Sequence, residues 1–447
     1  IFDPGDGLYR GEQSFLDWRE QSYPSWTKEQ LWHIAMSKAL STNVTHLIAI
    51  ELAASFAKDL GKTQEETKYT TWANALRKAI QNRFYLPSVG LYSTMITTTL
   101  DPAAVYKYDL LGSALTILSG IADVATAKKV ISGYPHSDKG PPVIWPQQPF
   151  IPIYHNRALW PFVTAYWLRA AKRAGHAEAV THNMRSMIRG AALNLSNMEN
   201  FEFLQGANYV QDGQYSGPVV NSRRQLWSVA GYISMIQDVL FGLEVSEQGV
   251  RFQPFFPRAI RQSWFAQSNE LTLRGVVYKG KSFDVTLRLP AKASGTAGAY
   301  DVDTVVLNGS DVKGKWLTAA QLQAQNTLII TLSQPANATN DALTIVKNSA
   351  DFRLFWSPRE PSITKIEEDT SGLKLTISNN GEQGVTHDIY RDGVRVATGI
   401  AAGTWIDKTA ADVAKRSYCY AVDAGFTSSK NRSHHSLPTC YLGKSEM

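Results

Sequence analysis

The chain holds only two cysteines in 447 residues, Cys419 and Cys440. No Cys-x-x-Cys, no His-Glu-x-x-His, no phosphate-cradling glycine loop and no Gly-x-Ser-x-Gly occurs. These absences remove metal, nucleotide and serine-hydrolase chemistry from the leading readings. No run of apolar residues approaches the length of a bilayer span. The nearest, Leu110 to Ile121, is short and is interrupted by Gly and Ser. Charge of one sign is also scarce. Lys and Arg exceed Asp and Glu by 45 − 39 = 6, and no basic cluster forms a nucleic-acid footprint.

What is present is the composition of a globular protein, with 44% hydrophobic and 19% charged residues. The length allows about three domains. The two cysteines read either as a disulfide stapling neighbouring strands or as two separately buried thiols. The disulfide reading carries an expected periplasmic or secreted location. The first residue is Ile1, which reads as a processed, truncated or renumbered start.

Up to about Leu243 the periodicity is helical. Apolar residues recur at helical spacing over Leu31–Leu40, Leu47–Leu60 and Thr71–Phe84, and again near Tyr108–Leu118, Ala122–Ile131, Arg157–Ala174, Ala177–Leu195 and Arg224–Leu243. Gly61 and Gly175 stand where helices should stop. Beyond Leu243 the period drops to two, as in Leu271–Tyr278 and Phe283–Leu289, with hairpin signals at Asn308-Gly309 and Asp392-Gly393. Residues 244–350 and 351–447 thus read as two antiparallel β-sandwich domains, the second of fibronectin type III or immunoglobulin type. The adjacent pair His434-His435 in the last segment reads as exposed.

Three clusters combine carboxylates with aromatics. The first, Gly11 to Trp26, holds Glu12, Asp17 and Glu20 among Phe15, Trp18, Tyr23 and Trp26. Aromatic rings stack on sugar faces, and an apolar wall raises a carboxyl pKa as a general acid requires. The same pattern also describes an amphipathic helix start with buried aromatics. The second is Tyr154-His-Asn-Arg-Ala-Leu-Trp-Pro-Phe162, where Pro161 suits a first helical turn. A helix cap with a packing Trp160 is the competing account. The third is Asn197 to Tyr209, with Glu199 and Glu202, followed by Gln225-Leu-Trp-Ser228.

In this order the segments resemble the six-hairpin (α/α)6-toroid glycosidases, of the glycogen-debranching-enzyme-like and cellobiose-phosphorylase-like kind. Tyr154 to Phe162 is similar to that family's Tyr-His-Asn-Gly-x-x-Trp-Pro, with Arg157 in place of Gly. Glu202-Phe-Leu-Gln-Gly206 and Gln225-Leu-Trp-Ser228 resemble its Glu-Leu-Phe-x-Gly and Gln-Ala-Trp-Ser. Gly242-Leu-Glu-Val and Val250–Pro257 resemble its junction into a β domain.

The resemblance implies a mainly α chain. Residues 1–243 would form the C-terminal part of an (α/α)6 toroid, followed by the two β domains. It also implies a glycoside hydrolase that cleaves an α-linked glucoside or related oligosaccharide with inversion and without a cofactor or metal. Asp17 would be the general acid and Glu202 the base, with Glu12 and Glu20 as rivals for the first role and Glu199 for the second. Trp18, Arg19, Gln21, Trp145, His155, Asn156, Arg157, Trp160, Gln225 and Trp227 would line the substrate. An N-terminal fragment or second chain would complete the toroid. A phosphorylase, a polysaccharide lyase using Tyr154 and His155, and a non-catalytic carbohydrate-binding protein are the alternatives.

Overall fold

The computed structural model describes residues 1–16, 22–213, 217–218, 222–292, 295–335 and 341–443. Among them are nine α-helices and 29 strands, most of the strands short. Helix and strand each account for 30% of the chain. The expectation of a mainly α fold is therefore overturned, and the fold is mixed. Two features cause this. The loops between helices are built from small strand pairs that hydropathy periodicity does not reveal, and beyond Leu243 the regular structure is mostly strand.

The helices are α1 Trp32–Met36, α2 Leu40–Asp59, α3 Thr63–Phe84, α4 Leu110–Leu118, α5 Val124–Gly133, α6 Pro161–Arg173, α7 Ala177–Asn194, α8 Leu226–Ser234 and α9 Arg258–Ser263. Their ends follow from local chemistry. The Asp109 carboxylate caps α4 at the Gly112 N–H, and Asp123 caps α5 by accepting from Thr126 at 2.7 Å. Pro161 opens α6 where no N–H is needed. Gly61, with φ +68°, follows α2 in the left-handed conformation that ends a helix without a Cβ clash.

Helices α2, α4, α6 and α8 lie side by side in chain order, while α3 packs on α2, and α5 and α7 on α6. Helix α6 is the centre of this two-layered arrangement. Its Val163, Ala165, Trp167, Leu168, Ala170 and Ala171 are buried. Each large apolar side chain buried there contributes about 1.5–3 kcal/mol.

Short strands run directly into three of these helices: Lys38–Ala39 into α2, Tyr108–Asp109 into α4 and Ala158–Leu159 into α6. Each pairs with a distant strand, namely Met95–Thr98, Ile144–Trp145 and Phe201–Glu202 respectively. The N-terminal ends of α2, α4 and α6 therefore carry a seam of ladders where the long loops converge.

After the hairpin Leu243–Ser246 and Gly249–Phe252 comes one five-stranded sheet. Its spatial order is Glu270–Tyr278, Lys281–Arg288, Gln325–Ser333, Asp301–Leu307, Ser310–Asp311. Lys281–Arg288 and Gln325–Ser333 run parallel. The expected antiparallel sandwich is thus replaced by a single mixed sheet. Period-two alternation marks Phe283, Val285 and Leu287 as inward-facing, but it does not encode the direction of the neighbouring strand. The inward side chains share one continuous apolar core with the helices.

The last segment consists of two antiparallel sheets. One holds Ser362–Asp369, Gly372–Ser378 and Gly403–Asp407, the other Val394–Ile400, Val385–Arg391, Tyr418–Phe426 and Thr439–Tyr441. They enclose a second core that includes Leu373, Leu375, Ile377, Ile389, Tyr420 and Val422. Cys419 and Cys440 face each other across neighbouring strands and form a disulfide. His434 and His435 are buried rather than exposed, because this segment is seated on the 101–107 and 145–148 loops. His435 Nδ1 lies 2.6 Å from the Asp101 carboxylate, and the Trp145 indole N–H donates to Asn431 at 3.2 Å.

Candidate active site

Glu202 stands at the α6 end of this seam. Its strand pairs antiparallel with Ala158–Leu159, so that Ala158 opposes Glu202 and Leu159 opposes Phe201. The pairing is anchored by Phe201, whose ring lies against Gly190 of α7. A Cβ at Gly190 would come within 2.5 Å of that ring, so only glycine fits. The chain then turns sharply, with the Gly206 N–H donating to the Glu202 carbonyl at 2.8 Å.

The Glu202 carboxylate is only 2% exposed, and its two oxygens differ. Oε2 accepts from the backbone N–H of Leu204 at 2.9 Å and of Gln205 at 2.7 Å. Oε1 is buried and has no hydrogen-bond partner among the described residues. Burial pushes the Glu202 pKa up. The Gln205 N–H and the nearby Arg157 charge oppose that rise without cancelling it.

Arg157 lies beside this carboxylate. Its backbone is left-handed, with φ +63°. That conformation explains why glycine suits the corresponding position of the family it resembles. The conformation is held from both sides: the Arg157 N–H donates to Gln147 Oε1 at 2.5 Å, and its carbonyl accepts from the Phe203 N–H at 3.0 Å. The guanidinium pairs with Asp212 through Nη1 and lies 5.6 Å from the centre of the Trp356 ring. Its Nε–H is buried without a partner among the described residues. Among the described residues, an unused buried acceptor, Glu202 Oε1, and an unused buried donor, Arg157 Nε, therefore belong to this site.

The neighbouring loop is rigid. The Asn156 side chain accepts from the Gln148 N–H at 2.8 Å and donates to the carbonyls of Gln148 and Ile151 at 3.0 Å each. Trp160 is fully buried and donates to the Tyr154 carbonyl at 2.9 Å. Around it lie Phe15, Tyr154, His155, Phe162 and Trp227, mostly edge-to-face. Trp227 is half-exposed and stacks on Phe162 at 4.5 Å. Glu199 accepts from the Tyr154 hydroxyl at 3.0 Å and from the Ser222 N–H at 2.9 Å.

The structure thus brings together Glu202, Arg157, Asn156, His155, Trp160, Glu199, Tyr154 and Trp227. Gln225 stands at the start of α8, its N–H donating to the Asn197 carbonyl at 3.0 Å. Trp145 is placed elsewhere, buried beneath the last segment against Phe355. Glu12 is exposed. Asp17, Trp18, Arg19, Glu20 and Gln21 lie outside the described residues. The residue before that stretch, Leu16, is buried, and Phe15 meets both His155 and Trp160 at about 5 Å.

Sequence reasoning missed Asp212 and Trp356, which pair with and underlie Arg157. No local signal marks either. It also missed Asp109, which is buried at the start of α4 with its carboxyl pushed up to about 6 by burial. The Thr94 hydroxyl is shared between Asp109 and Gln13 Oε1, at 3.3 and 2.8 Å. An Asp directly before the apolar run Leu110-Leu111 is a capping signal that would have found it. No group of three or more His, Cys, Asp or Glu side chains able to hold a metal occurs among the described residues.

No family model and no curated protein matches the chain. Among solved structures, a GH63 mannosylglycerate hydrolase from Thermus thermophilus aligns with 11% identity, covering 47% of this chain and 48% of that one, with a TM-score of 0.34. A GH78 family rhamnosidase from Bacillus sp. GL1 aligns with 16% identity over 78% of this chain and 30% of its own, with a TM-score of 0.42. A sialidase aligns with 12% identity over 66% of this chain and 26% of its own, with a TM-score of 0.45. The chain spans less than half the length of each of these structures.

Proposed function

We propose that this chain belongs to a glycoside hydrolase in which Glu202 is the general base of an inverting cleavage. The substrate class is an α-linked glucoside or related oligosaccharide. The observation that carries the reading is the division of labour within one carboxylate. Two backbone N–H groups fix Oε2, while Oε1 stays buried without a partner among the described residues, as does Nε of Arg157, whose charge acts on this carboxylate. A water molecule held there would accept from Arg157 and donate to Glu202, which is the arrangement a base needs to direct water at an anomeric carbon. The raised pKa of Glu202 makes its carboxylate a stronger proton acceptor than an ordinary Glu.

Asp17 is the proposed general acid, on the strength of the sequence resemblance. Of the rings packed around Trp160, Trp227 is the most exposed and is the proposed stacking surface for a sugar. The Cys419–Cys440 disulfide supports a periplasmic or secreted location. The lyase reading is disfavoured, since the Tyr154 hydroxyl is engaged by Glu199 and the ring is buried.

The test is product analysis on a panel of α- and β-linked oligosaccharides, with NMR resolving the anomer first released. Inverted product formed without dependence on phosphate supports the reading. Retained configuration or an absolute need for phosphate refutes it.

A further inference from the structure

A cavity of about 440 Å³ opens beside the strand that runs into α2, between residues 3–10, the end of α3 and the 95–104 hairpin. That volume falls within the range of small-molecule sites. One wall is charged and held in place. Lys38, itself buried, donates to Asp3 and to Asp6 at 2.7 Å each. Arg10 grips Asp3 through Nε and Nη2, at 3.1 and 2.6 Å. Arg83 donates to the Pro102 carbonyl at 2.7 Å and stands 3.7 Å from Asp6. Each carboxylate and each cation thus has a partner of opposite sign, so a ligand would not have to order these side chains.

The wall is ordered but not saturated. A carboxylate offers about four lone-pair sites, and among the described residues Asp6 uses two, for Lys38 and for the Leu8 N–H at 3.3 Å. Arg10 Nη1 meets the Met36 sulfur at 3.7 Å, a weak acceptor. The Arg83 side chain is 35% exposed, and its guanidinium holds further donors. Thr99 adds an exposed hydroxyl at the rim, while Met36, Ile96 and Pro102 supply an apolar surface. Such a wall selects on charge. A ligand charge of either sign meets a fixed like charge, from Asp3 and Asp6 or from Arg10, Lys38 and Arg83. A neutral hydroxyl both donates and accepts. Adjacent hydroxyls can therefore bond a carboxylate and a guanidinium together, with the C–H face of the same ring on the apolar surface.

We propose that this cavity binds one neutral sugar unit, with Asp6 and Arg83 on adjacent hydroxyls. The proposal is independent of the Glu202 reading, since the two sites share no residue.

Saturation-transfer NMR titration of the full chain tests this with glucose, galactose, mannose and rhamnose. Glucuronate and glucosamine serve as charged counterparts at about pH 6, where the amine is protonated. Saturable binding of a neutral sugar, at least about tenfold tighter than that of either charged sugar, supports the proposal. Arg83→Met should weaken it by at least about tenfold, as loss of a charge-assisted hydrogen bond does, and Trp227→Ala should leave it unchanged. Thr99 is exposed, so Thr99→Trp obstructs the cavity from its rim and spares the ion pairs even if Arg83→Met fails to fold. No saturable binding of a neutral sugar, charged sugars binding as tightly, or unchanged affinity in Thr99→Trp overturns the proposal. Binding lost in Trp227→Ala and kept in Arg83→Met assigns the sugar to the Glu202 site and overturns it as well.

Discussion

The backbone N–H of Phe203 donates to the carbonyl of Arg157 at 3.0 Å, which ties the residue after Glu202 to the left-handed corner that precedes α6. Glu202 and the cation beside it are therefore set by the same two-residue ladder. A shift of one would move the other. This coupling gives Glu202 a defined environment although it stands on a loop.

Replacing Glu202 with Gln keeps the side-chain volume and the two backbone contacts to one terminal atom, but removes the proton acceptor. The expected result is a fall in glycoside hydrolysis of about 10²–10⁴-fold, with a circular dichroism spectrum like that of the parent. In the parent, burial raises the pKa of Glu202, and the base must be ionised to act. The rate should therefore fall as pH drops through that raised pKa, at a higher pH than for an ordinary Glu. A rate of Glu202→Gln within twofold of the parent refutes the assignment.

Arg157→Gly separates backbone from charge. A left-handed non-glycine residue costs about 1–3 kcal/mol. Glycine removes that strain but adds about 0.5–1 kcal/mol of chain entropy. The lost ion pair to the half-exposed Asp212 is worth about 0–1 kcal/mol. Net stability in urea unfolding should lie between a loss of about 1 kcal/mol and a gain of about 2.5 kcal/mol. The Arg157 charge favours ionised Glu202, so its removal should move the acid limb of the pH–rate profile to higher pH. An unmoved limb would show that the guanidinium does not act on the base.

How much of this is legible in the sequence differs by residue. Glu202, Asn156 and Trp160 can be picked out because each sits in a segment whose order resembles a known family. The helices α2 to α8 follow from apolar spacing, and Gly61 and Gly175 mark two of the stops. Trp145 reads as a substrate contact only through the same resemblance. The structure instead gives it a partner nearly three hundred positions away, Asn431, and no local pattern carries that information. Asp212 and Trp356 are opaque for the same reason. The parallel pairing of Lys281–Arg288 with Gln325–Ser333 depends on which strand the connection passes, and alternation of side chains does not record it.

The Cys419–Cys440 bond closes a loop across two neighbouring strands with a separation of 21 residues. Restricting a loop of this size in the unfolded chain contributes about 3 kcal/mol in the chain-entropy account. Reduction, or Cys419→Ser with Cys440→Ser, should lower the melting temperature of the C-terminal sheets while glycoside turnover persists. Calorimetric scans with and without reductant measure the first effect. Parallel loss of turnover would show that these sheets support the Glu202 site more directly than their separate core suggests.

The pair His435–Asp101 links the last segment to the loop ahead of α4, and it carries a pH signature. Burial alone would push His435 down, but the Asp101 carboxylate at 2.6 Å holds it above the ordinary value. A histidine whose folded pKa is raised adds stability that is fully present below its unfolded pKa of about 6.5. That contribution is lost as pH rises through the folded value. Other groups also titrate, so the difference between parent and variant is the useful quantity. Asp101→Asn removes the charge that holds the imidazolium, and His435→Gln removes the titrating group. Each should cost stability most at a pH below about 6.5, with the deficit shrinking as pH rises through the folded pKa. Urea unfolding at a series of pH values measures this. A deficit independent of pH would mean that His435 is neutral in the folded protein and that the contact is an ordinary hydrogen bond.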